Sequence, residues 1–395
     1  MRDGPATAHP AVPRPHAPPI RLPVDGPPVL AVGGELKAAI CVLRGHEAVV
    51  GQHVGDVGNL ETLEALGRMA NHLLSLLDVA PAAMVADLHP GYLSTSWARD
   101  FAAARHVPLL QVQHHEAHVG SLFAEHGLDL DAAAGAIGVC FDGTGFGRDG
   151  TIQGGEVFVV RHGELSRAAH LLPFPLPGGD AAIRHPWRTA LAMLRAAGIA
   201  WDAAIPCVAA AAPVELGVLE RQCASGFRCH DTTSVGRLFD AVASILGVRH
   251  EIDFEAEAAL DLEALASKAA TAKFQPGRVL TGDRGTLTLD WRPIVTGLVG
   301  DVTAGRPREA MAAGFHRAIV GLVVDTCRLL RDRGATGPVG LTGGVFQNAV
   351  LVARLIDALH AAGFEVLTHH AVPPNDGGLA LGQAVLGRRA FTAAD

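Results

Sequence analysis

The sequence predicts an α/β fold built as two lobes. Two observations lead there. A meander of three short apolar runs opens at Val29, and a second three-run meander opens at Ala136. After each meander, short buried runs alternate with helical apolar patterns, as in layered α/β proteins.

The elements follow in order. Residues 1–28 carry nine prolines and almost no apolar periodicity, so they read as an extended or flexible arm. Val29–Val32, Ala38–Leu43 and Ala48–Val54 form the first meander, joined by glycine-containing turns. Leu60–Leu77 has the spacing of an amphipathic helix, and Ala82–Asp87 reads as a buried strand ending near Pro90-Gly91. Pro108–Val112 is a further strand, leading into a histidine-bearing helix. Ala136–Phe141, Gly154–Val160 and Glu164–Leu172 form the second meander, with Asp142–Gly147 as its first turn. Ser234 opens an apolar helix running to Leu246. Val339–Thr342 is a strand, followed by Gly343-Gly344, a helix over Ala349–Ala362 and a strand over Glu365–Leu367.

Two α/β lobes that each open on a meander, with glycine turns facing inward, describe the actin-like ATPase, sugar-kinase and Hsp70-type (ASKHA) architecture. There a nucleotide lies in the interlobe cleft. The expected division is an arm over 1–28, an N-terminal lobe over 29–134 and a C-terminal lobe over 135–395.

Composition narrows the function classes. The 395 residues are 49% hydrophobic and carry a formal net charge of -8, which gives no electrostatic footprint for nucleic acid or an anionic membrane surface. No uninterrupted apolar run reaches the roughly 18–20 residues of a membrane span. The six cysteines include no Cys-x-x-Cys, so reduced thiols and a cytoplasmic location are expected.

The densest chemistry is Gln113-His114-His115-Glu116-Ala117-His118. His114 and His118 are four apart, so on a helix they share a face one turn apart, the spacing at which two imidazoles reach one metal ion. Carboxylates also sit on glycine turns at Asp142 and at Asp376. Two imidazoles with one or two carboxylates suit iron, zinc or manganese and leave coordination positions open. His115 is the alternative ligand, at i,i+3 from His118; Glu116 points off that face. Gly143, Thr144 and Gly145 after Asp142 let backbone N–H groups approach phosphate, or else make an ordinary hairpin turn. Gly343 and Gly344 permit close passage of a nucleotide that Asn348 would bond; the plainer reading makes Asn348 a helix N-cap. Gly236 near a helix start and Asp240 one turn on offer close approach and a ribose ligand, or a solvated acid. Lys37 is the lone lysine of the first half, either a surface hairpin residue or a cleft cation.

Together and in this order these motifs resemble the C-terminal half of the hydrogenase-maturation carbamoyltransferase family (HypF). That half is itself similar to the tRNA threonylcarbamoyl-transfer and O-carbamoyltransferase families. The stretches that carry the resemblance include Gly33–Lys37, Gln52–Asp56, Asp87–Thr95, Val112–His118, Phe141–Gly147, Pro177–Arg188, Gly236–Leu246, Leu341–Asn348 and Pro374–Gln383. The resemblance implies that His114, His118 and Asp376 hold a divalent metal with Asp142 beside them. It implies that Gly143, Thr144, Gly145, Gly236, Asp240, Gly343, Gly344 and Asn348 bind carbamoyl-adenylate, made from carbamoyl phosphate and ATP with magnesium. The acceptor it implies is the C-terminal cysteine of a HypE-type partner, which converts the carbamoyl group to the cyanide ligand of the nickel–iron site. Small-molecule O-carbamoyl transfer and tRNA threonylcarbamoyl transfer are the alternatives. The family's acylphosphatase, paired Cys-x-x-Cys and adenylate-forming modules do not appear, and Ala38 and His185 stand where the family usually has Asn and Glu.

In this chemistry the metal polarises the carbamoyl carbonyl and Lys37 stabilises anionic charge. The nucleotide loops hold the AMP leaving group in line.

Overall fold

The computed structural model describes residues 18–269, 274–282 and 285–394. Among these residues fifteen strands form two sheets. The first comprises β1 (Ile20–Arg21), β2 (Val29–Ala31), β3 (Cys41–Arg44), β4 (Glu47–Val50), β5 (Ala83–Asp87) and β6 (Leu109–Val112), in the order β1-β4-β3-β2-β5-β6. The second contains β7 (Ile137–Phe146), β8 (Ile152–Arg161), β9 (Glu164–Leu171), β10 (Phe174–Pro177), β11 (Cys229–Thr232), β12 (Arg278–Thr281), β13 (Leu287–Asp290), β14 (Val339–Thr342) and β15 (Val366–Thr368). Its main path runs β12-β13-β9-β8-β7-β14-β15.

The two sheets share one wiring. β2 pairs antiparallel with β3 and parallel with β5, which pairs parallel with β6. β7 pairs antiparallel with β8 and parallel with β14, which pairs parallel with β15. This repeated meander-plus-parallel unit is the two-lobed actin-like ATPase and sugar-kinase fold. The inner parallel strands β5 and β14 are buried along their length, as expected where helices cover both faces.

Each lobe then sends one helix across to the other. His114–Glu125 follows β6 yet packs Val119, Leu122 and Phe123 against β7, β8 and β14. Leu379–Ala394 follows β15 yet buries Leu379, Ala380, Leu381 and Ala384 with Val29, Ala31, Cys41 and Leu43 of the first sheet. Residues 379–394 therefore belong to the core of the first lobe, not to the second lobe in which the sequence reading counted them.

Absent side chains make this crossing possible. A Cβ on Gly382 would lie 1.7 Å from the Ala117 carbonyl oxygen, and one on Gly138 would lie 2.5 Å from Val119. The amide of Gln383 clamps the same crossing to Gly33, accepting its N–H at 2.9 Å and donating to its carbonyl at 3.1 Å.

The helix Leu60–Leu77 appears over the expected residues. Asn59 caps it by accepting the Thr62 N–H, and Leu66, Ala70, Leu73 and Leu74 form its buried face. Two expectations change. Residues 1–17 of the proline-rich arm lie outside the described residues, but Ile20 and Arg21 pair with Ala48 and Glu47 as an edge strand. Leu22 is buried beside them, so apolar burial ties the chain down ahead of Val29. Asp142–Gly145, expected as a turn, instead continues β7 through a register shift between Phe141 and Gly145, and the reversal comes at 147–151.

Among the described residues one helix, Arg308–Asp332, is long and apolar enough to cross a membrane, but 78% of its most apolar window is buried in the molecule.

Candidate metal and nucleotide site

The histidine helix starts directly at the carboxyl end of β6, where open α/β sheets place ligands. Gln113 caps it: its side-chain carbonyl accepts the Glu116 N–H at 2.9 Å while its amide donates to the Phe146 carbonyl. The helix so fixed projects His114 and His118 from one face, both buried. Asp142 reaches them from the bulge of β7. Its Oδ1 accepts the Gly344 N–H at 3.0 Å, which leaves Oδ2 at 3.3 Å from His114 Nε2 and 3.8 Å from His118 Nε2. Asp376 comes from a short turn capped by Asn375, and its Oδ1 stands 3.6 Å and 3.5 Å from the same nitrogens.

The four side chains thus converge, with one donor atom from each lying within 4.8 Å of the others. Neither His114 Nε2 nor His118 Nε2 has a hydrogen-bond partner. Two buried, unpartnered imidazole nitrogens facing two carboxylates make a group that could hold a divalent metal ion, with nitrogen and oxygen donors of the kind zinc, iron or manganese takes. The electrostatics agree. Burial disfavours the His114 imidazolium, but the Asp376 and Asp87 carboxylates outweigh it and raise its pKa well above the ordinary value. Burial would likewise raise both carboxyls, yet the neighbouring imidazoles lower Asp142 below the carboxylate range and Asp376 to about 2. The carboxylates favour positive charge within the cluster, carried by the His114 imidazolium or by a bound cation.

Sequence reading missed the residue that orients this cluster. His114 Nδ1 lies 2.8 Å from Asp87 Oδ2, both groups fully buried. Asp87 ends β5, and the signal was a carboxylate at a strand's carboxyl end. His115 turns away: its Nδ1 meets the Gln113 amide, and burial with the neighbouring His114 charge lowers its pKa well below the ordinary value. Glu116 pairs with Arg148 at 2.8 Å, away from the cluster.

Beside the cluster opens a cavity of about 240 Å³ between the lobes. Of the expected nucleotide residues, Gly143, Gly236, Asp240, Gly344 and Asn348 line it, together with Lys37, Asp142 and Asp376. Phe239, Leu260 and Val345 give it an apolar wall. Thr144, Gly145 and Gly343 are not in the lining. A Cβ on Gly145 would meet His115 at 2.4 Å, and one on Gly343 would meet the Phe141 carbonyl at 2.3 Å, so both serve close packing.

Gly236 allows the helix Val235–Ile245 to start against the bulge, where a Cβ would lie 2.9 Å from Gly143 Cα. Ser234 caps that helix, and its hydroxyl bridges to the carbonyls of Asp142 and Gly143. Asn348 acts as the N-cap of Ala349–Ala361 and also donates to His316 Nε2, so its side chain is engaged although it faces the cavity. Asp240 is different. It is buried beside Arg237 at 3.0 Å, neither carboxylate oxygen has a well-formed hydrogen bond, and burial raises its pKa.

Lys37, with φ at 50°, crosses the cleft mouth to pair with Glu255. Burial opposes its charge, but Glu255, Asp376 and Asp56 together raise its pKa. Arg188 is occupied by the Pro177 carbonyl and Gln222.

Residues 138–383 match the profile of the carbamoyltransferase Kae1-like domain, second subdomain, and residues 24–125 match the HypF Kae1-like domain. The chain belongs to the HypF carbamoyltransferase family. It is 38% identical over 391 residues to carbamoyltransferase HypF2 of Cupriavidus necator, covering 92% of this chain and 47% of that protein. It is 39% identical over 374 residues to HypF of Rhizobium leguminosarum bv. viciae, covering 94% of this chain and 46% of that one. A HypF homolog of Cupriavidus necator is 38% identical and is covered over 94% of both chains. The chain therefore spans about half the length of the first two relatives and nearly all of the third. Among solved structures, full-length HypF in its phosphate- and nucleotide-bound form superposes with a TM-score of 0.87 at 35% identity. That match covers 95% of this chain and 48% of the other.

Proposed function

We propose that this chain transfers a carbamoyl group from carbamoyl-adenylate to a thiol, the C-terminal cysteine of a HypE-type maturation partner. The product feeds synthesis of the cyanide ligands of the nickel–iron hydrogenase site. The observation that carries the reading is the pair of unpartnered imidazole nitrogens facing Asp142 and Asp376 at the edge of the interlobe cavity. Membership of the HypF family supports the choice of transferred group.

Gly143, Gly236 and Gly344 line the end of the cavity beside the metal cluster, where the adenylate phosphate would lie. The apolar wall of Phe239, Leu260 and Val345 suits a purine, and the unsatisfied carboxylate of Asp240 suits ribose hydroxyls, which would donate to it. His114, His118, Asp376 and Asp142 would hold a divalent ion, which would supply Lewis acidity toward the carbamoyl carbonyl. Lys37 is positioned to offset the negative charge that builds as the acceptor attacks. In the transfer, the acceptor sulfur bonds to the carbamoyl carbon. The carbon–oxygen bond to AMP breaks, AMP leaves with that electron pair, and the thiol proton passes to solvent. The nucleophile arrives on the partner: among the described residues Cys41, Cys140, Cys207 and Cys327 are buried, and burial pushes the Cys41, Cys207 and Cys327 thiols up to about 12. The adenylate comes from carbamoyl phosphate and magnesium-bound ATP, and free thiols fit a cytoplasmic setting.

The test is to incubate the chain with carbamoyl-adenylate and the partner, then weigh the partner by mass spectrometry. One added carbamoyl group at the terminal cysteine, lost in His118→Ala, supports the reading. Carbamoylation of a sugar alcohol, or threonylcarbamoylation of tRNA, with none on the cysteine would replace it.

A further inference from the structure

A second group of metal-binding side chains lies at the far end of the histidine helix, about 18 Å along its axis from His114 at 1.5 Å per residue. We infer that His126, His370 and Glu125 form a second metal site, separate from the cluster above, that takes a zinc- or nickel-type dication. It shares no residue with His114, His118, Asp142 and Asp376. One donor atom from each of the three residues lies within 4.8 Å of the others.

His126 presents a nitrogen as a ligand does. His126 Nε2 lies 2.9 Å from the Thr368 carbonyl, so Nε2–H donates there and Nδ1 keeps its lone pair. Ligating histidines are held in this way, with the second ring N–H given to a carbonyl or carboxylate. The His370 ring meets the His126 ring edge-on at 4.8 Å between centroids, and its side chain is 60% exposed. It lines a second cavity of about 790 Å³, from which water can complete the coordination. Two imidazoles with open positions favour zinc, nickel or copper over magnesium or calcium, which take oxygen ligands.

Glu125 supplies the negative charge. Its side chain is fully buried, and its ion-pair partners among the described residues are His369 at 2.8 Å and His370 at 4.0 Å, with no lysine or arginine. Its oxygens accept the N–H groups of Ala371 at 2.7 Å, Val372 at 3.2 Å and His370 at 3.3 Å. These bonds anchor the carboxylate beside the histidines, so the imidazoles form the metal bonds and Glu125 compensates the charge.

The position gives the site a task. His370 opens the segment that ends at Asp376, and Glu125 ends the helix that begins at His114. A metal bridging His126 and His370 fastens these two carriers of the inner cluster to each other. A second link runs parallel to it: His369 Nε2 contacts the Thr342 hydroxyl at 2.8 Å, and that hydroxyl lies 3.2 Å from the His118 carbonyl.

The experiment strips the full chain of metal with a chelator, titrates it with zinc sulfate alone, and counts bound zinc by elemental mass spectrometry. The expected result is two zinc ions per chain. His370→Ala and His126→Gln should each weaken one of them at least tenfold while keeping the other. Asp376→Ala should lose the other and keep this one. If His126→Gln fails to fold through loss of the Thr368 bond, the exposed His370→Ala variant decides alone. A single zinc that disappears in Asp376→Ala would overturn the inference, as would two zinc ions bound unchanged in His370→Ala.

Discussion

Asp87 accepts a hydrogen bond from His114 Nδ1 at 2.8 Å, with both side chains sealed from solvent. Asp87 therefore holds a proton on Nδ1, so that the neutral ring, the form that would bind a metal, has its lone pair on Nε2, facing Asp142 and Asp376. Asp87→Asn keeps the shape but can offer an N–H, favouring the wrong tautomer. Loss of such an outer partner typically costs 10–100-fold in metal affinity. That fall is expected in a metal titration, with helicity by circular dichroism unchanged.

The two interlobe helices cross in close contact at Gly382. Gly382→Ala would push a methyl to within 1.7 Å of the Ala117 carbonyl, where backbone must move. Overpacking of this kind destabilises by roughly 1–3 kcal/mol or more. Gly217, inside Pro213–Ser225, has nothing within 4 Å of its would-be Cβ. Gly217→Ala should stabilise by up to about 1 kcal/mol through helix propensity. Urea midpoints of the two variants should move in opposite directions.

His316 makes the fold acid-sensitive. Burial lowers its pKa from 6.5 to about 4, with Nδ1–H donated to the Ala312 carbonyl and Nε2 accepting from Asn348. Between pH 4 and 6.5 the unfolded chain binds this proton and the folded chain does not, so stability rises with pH across that window. The contribution is complete above pH 6.5 and is lost as the pH falls toward 4, by about 3 kcal/mol at most. His316→Gln should flatten the stability curve over this range.

Lys37 should act on the chemical step. Removing one oxyanion-stabilising donor typically lowers kcat about 10²–10³-fold. Lys37→Ala is expected to lose activity to that degree while its metal content stays at the wild-type level. An equal loss of bound metal would assign Lys37 a structural role at Asp376 instead.

Local signals made much of this legible. The helix Leu60–Leu77 was readable because Asn59 caps it and its apolar spacing is regular. The i,i+4 spacing of His114 and His118 foretold their shared face. Asp376 lies 258 residues beyond His118, and only family resemblance linked them. Asp87, Glu255 and Gln383 escaped notice because each acquires its role from a partner that is distant in sequence. The bulge at Asp142 escaped because Asp-Gly-Thr-Gly has the composition of a turn, and its strand character depends on packing against the histidine helix. The crossing of the final helix to the first sheet is a tertiary choice that its own apolar pattern does not encode.

The most direct test of the central claim is a crystal of this chain grown with manganese and AMP, measured for anomalous scattering at the manganese edge. The account predicts one peak within bonding distance of His114 Nε2, His118 Nε2 and the Asp376 carboxylate, with AMP in the adjoining interlobe cavity. No peak there, or a peak bound by other side chains with the two imidazoles unoccupied, would contradict it.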